Sequence, residues 1–221
     1  MTRTGLHARD LRVERDGRVL LDISALDVPA SSCTVIEGGG DAGKTLLAAT
    51  LSGAIPDAAG EVRIDGRRCS GPPSARLRRG LAVVPNDALR IRGVTVTEAL
   101  TLARRGTRRV SDAFDRFPLL AARRTLRTER LSGGEYQALR IACAYLIMPS
   151  ALVLDSPTTG LAASLVDAVL ALARDEAARG ASVLWLDQPG APVPNPATLR
   201  LDAGSLSVAA ESRTASPRES G

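Results

Sequence analysis

Aromatic side chains are nearly missing from this sequence. Two Phe, two Tyr and one Trp make up 2% of 221 residues, and none precedes Phe114. The core therefore has to be built from Ala, Val, Leu and Ile, which suits a buried parallel sheet covered by alanine-rich helices. The same scarcity removes the stacking platforms that hold single-stranded nucleic acids. Cysteine is limited to Cys33, Cys69 and Cys143. An odd number without paired metal-ligand spacing argues against a disulfide framework or a zinc site, and the three read as free thiols in a reducing compartment. No apolar run approaches the length of a membrane span, and the N-terminus lacks a signal-peptide pattern, so any membrane link is expected to run through a partner. Histidine occurs once, as His7, and lysine once, as Lys44; the other 28 of the 29 basic residues are Arg. The net charge of +5 is spread over pairs such as Arg67-Arg68, Arg78-Arg79 and Arg104-Arg105 rather than one block, the mark of solvated surface more than of a nucleic-acid footprint.

The single lysine falls in Gly38-Gly39-Gly40-Asp41-Ala42-Gly43-Lys44-Thr45-Leu46. This reads G-x-x-x-x-G-K-T, preceded by the apolar run Cys33–Ile36 and followed by the helical pattern Thr45–Ser52. Strand, glycine-rich turn and helix form the context a phosphate-binding loop needs. The glycines let backbone N–H groups crowd around a polyphosphate, and the helix N-terminus adds its positive dipole end. Lys44 would reach the β- and γ-phosphates and the Thr45 hydroxyl would bind Mg²⁺. The plainer reading, a glycine-rich turn with an accidental lysine, leaves unexplained why an Arg-only chain keeps its ammonium here, where a compact point charge suits phosphate.

Along the chain, alternating runs predict antiparallel strands at Ala8–Glu14, Val19–Leu21 and Ser24–Val28, with a turn at Asp16-Gly17. Further strands are predicted at Gly60–Gly66, Leu81–Val84, Ala151–Leu154 and Ser182–Leu186, and a terminal hairpin at Thr198–Leu201 and Ser205–Ala209. Helices are predicted at Thr97–Arg105 and Ser111–Leu120. Another starts at Ser132 and buries Leu139, Ala142, Cys143, Leu146 and Ile147; the next buries Leu165, Val166, Val169, Leu170 and Ala173 and is closed by Gly180. The arrangement is α/β: a single domain over 1–210, a helical lobe over about 87–148 inserted in the core, and a polar, disordered tail at 211–221.

Two more segments carry chemistry. Leu152-Val153-Leu154-Asp155 is an apolar strand ending in a carboxylate that can hold Mg²⁺ beside a phosphate loop. Leu131-Ser132-Gly133-Gly134-Glu135 opens a helix, with glycine N–H groups and a hydroxyl available to an anion; as structure alone it is a capping box. Together with Pro157-Thr158-Thr159-Gly160-Leu161 and Val94-Thr95-Val96-Thr97-Glu98-Ala99-Leu100, these resemble the nucleotide-binding subunit of ATP-binding cassette (ABC) transporters over roughly residues 8–208. The resemblance implies a P-loop cassette with a mixed sheet, an antiparallel β part and a helical lobe ending in the signature Leu131–Glu135. It also implies ATP and Mg²⁺ as ligands, with Thr45, Asp155 and Asn86 at the metal. The resemblance further implies that two cassettes pair head to tail, so that each signature faces the partner's ATP, and that a transmembrane permease subunit holds the pair at the cytoplasmic, inner face of the cell membrane.

Against that family pattern several positions depart. The general-base Glu after Asp155 is Ser156, and a positioned base is worth about 10²–10⁴-fold. The switch His after the strand Ser182–Leu186 is replaced, Gln188 aligning better than Asp187. Asn86 stands for a Gln, Ala162 for an Asp, and Asp41 for a loop Gly; no aromatic lies near Arg15 to stack on adenine. What survives binds MgATP; what is lost activates water. The expected role is an ATP-binding transport subunit, the degenerate half of an asymmetric pair with a different, competent cassette, with weak turnover alone. The other readings are a non-hydrolytic regulatory clamp and an ordinary homodimeric ATPase using Asp187 or a weak water route. The signature excludes a small-molecule kinase, and nucleic acid is not an expected partner.

Overall fold

The computed structural model describes residues 3–86, 90–194 and 196–208; the predicted tail at 211–221 lies outside them. The chain opens with an antiparallel pair, β1 (Gly5–Arg15) and β2 (Arg18–Pro29), joined at Asp16-Gly17. The two strands predicted within Val19–Val28 are one: Leu21, Ile23, Leu26 and Val28 turn inward while Asp22 and Asp27 face solvent, so Asp22 does not interrupt the pleat. β3 (Ser32–Glu37) leads through the glycine-rich loop into α1 (Lys44–Ser52), which ends at Gly53 in the left-handed region. β4 (Ala59–Ile64) and the short β5 (Arg67–Arg68) follow, then α2 (Pro73–Arg78) and β6 (Leu81–Val84). The sequence reading missed β5 and α2: one is two residues long, and the other has no buried residue to give it a periodic face.

The stretch between β6 and the next strand is helical: α3 (Val96–Ala103), α4 (Val110–Arg116), α5 (Pro118–Ala122) and α6 (Gly133–Ile147). The single helix predicted over 111–120 is two, because Pro118 cannot continue α4 and instead takes the first position of α5. Then come β7 (Ala151–Asp155), α7 (Ala163–Ala178), β8 (Ser182–Asp187), β9 (Ala197–Asp202) and β10 (Ser205–Val208).

The ten strands form one mixed sheet in the order β5-β4-β1-β2-β10-β9-β3-β8-β7-β6. β9, β3, β8, β7 and β6 run parallel to one another, while β9 pairs with β10 antiparallel. Every residue of β7 and β8 is buried, as a sheet covered on both faces requires. Alternation sorts their side chains into two cores. Val183 and Trp185 of β8 join α6, α7 and the helices before them. Leu184 and Leu186 join α1 and the inward residues of β1, β2 and β4. Trp185 is fully buried in the first core, among residues that are otherwise mostly aliphatic.

Candidate functional site

The loop between β3 and α1 sits at the C-terminal ends of the parallel strands. Its conformation depends on two glycines. Gly43 has φ 100°, a left-handed geometry that an L side chain resists, and it caps α1. A Cβ on Gly38 would lie 2.6 Å from the Leu201 carbonyl oxygen and 2.7 Å from Ala42 Cβ, so only glycine fits. The Gly38 N–H donates to the Asp187 carbonyl (3.1 Å), and the tip of the terminal hairpin closes on the loop, the Gly204 N–H donating to the Ala42 carbonyl (3.0 Å). The sequence pattern held no sign of this hairpin contact.

Lys44 is 6% exposed. Its Nζ donates to the Gly38 carbonyl (2.6 Å) and to that of Gly39, folding the ammonium back across the loop. Thr45 is exposed at the first turn of α1, Leu46 is half-buried, and Gly39, Gly40 and Asp41 face solvent, with no atom within 4 Å of where a Gly40 Cβ would stand. α1 begins with no side-chain cap and no acidic residue in its first turn. Its leading N–H groups are thus unsatisfied by the helix, and a fixed cation lies beside them. This frame fits a polyphosphate.

Asp155 ends β7, fully buried, on the face that carries α1. Its Oδ2 accepts the Asn86 N–H (3.2 Å) and its Oδ1 the Ser156 hydroxyl (3.5 Å). The structure therefore brings Asn86 to Asp155 through main chain. Ser156 itself is half-buried and has φ 47°, with its N–H donating to the Leu186 carbonyl (2.8 Å). No cluster of three His, Cys, Asp or Glu occurs among the described residues, so a metal here would draw most of its ligands from phosphate and water, as Mg²⁺ commonly does.

The positions after β8 are occupied otherwise. Gln188 is exposed. Asp187 is 8% exposed, and its carboxylate is fully engaged: Oδ2 accepts the Trp185 indole N–H (2.9 Å) and the Thr158 hydroxyl (3.4 Å), while Oδ1 accepts the Gln188 N–H (2.8 Å). Glu37, at the end of β3, accepts the N–H groups of Gly190 (2.8 Å) and Ala191 (3.3 Å), pinning the following loop.

Ser132 caps α6. Its hydroxyl accepts the Glu135 N–H (3.2 Å) and Glu135 accepts the Ser132 N–H (2.8 Å), with Arg123 on the other carboxylate oxygen (3.0 Å). That backbone hydrogen bond, chiefly, holds the Glu135 carboxyl below its usual range. Leu131 is buried, Ser132 and Gly133 are exposed, and a Cβ on Gly134 would lie 3.0 Å from the Gly160 carbonyl oxygen. The capping box and an exposed glycine-rich N-terminus thus coexist, since the Ser132 hydroxyl keeps its proton to donate. α6 is also tied to the Asp155 end of the sheet. Gln137 Nε2 donates to the Pro157 carbonyl (3.5 Å), and Arg140 donates to the Asn86 carbonyl (3.1 Å) and to Gln137 Oε1.

Residues 21–159 match the family model described as ABC transporter. The high-affinity branched-chain amino acid transport ATP-binding protein BraG of Pseudomonas aeruginosa is 30% identical, the alignment covering 77% of this chain and 76% of BraG. The lipoprotein-releasing system ATP-binding protein LolD of Chromohalobacter salexigens is 31% identical, with 89% and 90% covered. Among solved structures, an ATP-binding subunit of an ABC transporter superposes with TM-score 0.81 at 24% identity over 92% of this chain and 88% of that one. A bacterial Atm1-family ABC exporter with ATP bound superposes with TM-score 0.78 at 23% identity, over 92% of this chain and 38% of the exporter.

Proposed function

Since the chain belongs to the ABC transporter family, among its ATP-binding subunits, we propose that it holds MgATP at an interface with a second cassette and is the catalytically degenerate half of that pair. Residues 38–46 would cradle the phosphates through backbone N–H groups and Lys44. Mg²⁺, when bound, would be held by Thr45 and Asp155, with Asn86 alongside, and would neutralise phosphate charge. One observation carries the reading: the phosphate frame is complete, while the groups beside it offer no base for water. Ser156 presents a hydroxyl that does not accept a proton at neutral pH. Asp187, the carboxylate an ordinary homodimeric ATPase would have to use, is spent on the Trp185 indole, Thr158 and the Gln188 N–H.

Ser132, Gly133 and Gly134 would face the partner's ATP, where hydrolysis would occur. The ties from α6 to Asn86 and Pro157 would carry closure of the pair toward the helical lobe and a separate transmembrane subunit at the inner face of the membrane. A partner cassette with an intact Glu and His tests this. The mixture should hydrolyse ATP, and Gly134→Arg in this chain should abolish that turnover while leaving nucleotide binding to this chain unchanged. Robust hydrolysis by this chain alone, indifferent to added partner, would overturn the proposal.

A further inference from the structure

We propose a second anion site, remote from the phosphate loop, that takes a small ligand carrying more than one phosphate group. A cavity of ≈ 560 Å³ lies between β4–β5, the end of α2 and the residue before β7, with Arg3, Arg67, Arg68, Arg78 and Arg79 in its walls together with Ile64, Asp65 and Ser150. It opens at the N-terminal ends of β6 and β7, whereas the glycine-rich loop and Asp155 occupy the C-terminal ends of the parallel strands. The volume lies within the roughly 300–1,000 Å³ of small-molecule sites.

The one carboxylate in the lining is already engaged: Asp65 accepts the N–H groups of Thr4 (3.0 Å) and Gly5 (3.2 Å). Glu61, outside the cavity, is 3.0 Å from Arg63 and 3.7 Å from Arg68. Arg3, Arg78 and Arg79 form no ion pair with any described residue. Like charges focused in a concave site raise the local concentration of anions, and planar guanidinium forks match phosphate oxygens in bidentate fashion. Arginines on several walls call for more than one phosphate group. The lining holds no aromatic residue and one buried aliphatic, Ile64, so neither a nucleobase platform nor a membrane-inserting rim is present. A free polyphosphorylated molecule fits this chemistry better than a lipid surface.

The test is titration calorimetry of the full chain carrying Lys44→Ala with sodium tripolyphosphate, at fixed ionic strength and without Mg²⁺. A one-to-one isotherm is expected, weakened about tenfold or more by Arg78→Ala with Arg79→Ala. Arg104→Ala with Arg105→Ala, which removes the same charge elsewhere, should change it by no more than about twofold. Arg78→Lys with Arg79→Lys should fall between, with unchanged thermal midpoints for all variants. Equal losses from both alanine pairs, or no binding once Lys44 is gone, would overturn the proposal. So would phosphatidylglycerol vesicles or a single-stranded oligonucleotide binding this face more tightly than tripolyphosphate does.

Discussion

Lys44 holds the carbonyls of Gly38 and Gly39 from a nearly buried position, so its ammonium is already oriented across the loop. Removing it takes away a charged hydrogen bond worth about 1.5–3 kcal/mol. Lys44→Ala is therefore expected to weaken nucleotide binding by roughly tenfold or more, read by a fluorescent ATP analogue. Ser156 is the complementary case. Its backbone, at φ 47°, already has the strained geometry of a functional turn, and what it lacks is a base. Ser156→Glu, paired with Gln188→His, should raise turnover by about 10²-fold or more, measured as phosphate release. The cysteines make a different point. Burial pushes the Cys33 thiol up to about 11 and that of Cys143 up to about 12, and raises Cys69 as well. A thiol reagent at about pH 8 should leave Cys33 and Cys143 unmodified in the folded chain and titrate all three once it is denatured.

Three helices between β6 and β7 depend on a carboxylate at the third helical position. Glu98 accepts the Thr95 N–H in α3, Asp112 the Arg109 N–H in α4 and Glu135 the Ser132 N–H in α6. These backbone bonds, foremost, hold all three below their ordinary values of 4.5, 3.8 and 4.5. A carboxyl with a depressed folded value stabilises the fold above its unfolded value and loses that contribution as pH falls through the folded one. Acid should therefore loosen the starts of α3, α4 and α6 before β7 and β8. Amide exchange followed from pH 6 downward checks this, and strands exchanging first would contradict it. Ser132→Ala should cost about 1 kcal/mol, a fall of about 2–4 °C in the thermal midpoint. Both the cap at Ser132 and the β3–loop–α1 unit were legible in the sequence because they are local: spacing within about ten residues defines them. Pro118 splitting α4 from α5 was equally local, yet the apolar pattern of 111–120 masked it. The hairpin tip at Gly204 meeting Ala42, and Trp185 engaging Asp187 while Thr158 reaches it from another loop, were not legible, because each is set by sheet order and face.

At the scale of the whole molecule, two cores share one sheet, and Asp155 and Asp187 leave neighbouring strands toward opposite faces. That parity separates the Asp155 carboxylate, on the α1 side, from the Asp187 carboxylate, on the side of Trp185. No helix among the described residues is long and apolar enough to cross a membrane. The central proposal is that this chain keeps the frame for nucleotide and lacks the groups that split it. Its most direct measurement is the identity of the nucleotide recovered from the purified chain after prolonged incubation with Mg²⁺ and radiolabelled ATP. The account predicts one equivalent of bound nucleotide, recovered as intact ATP. Recovery as ADP with free phosphate accumulating over many turnovers, or no bound nucleotide at all, would contradict it.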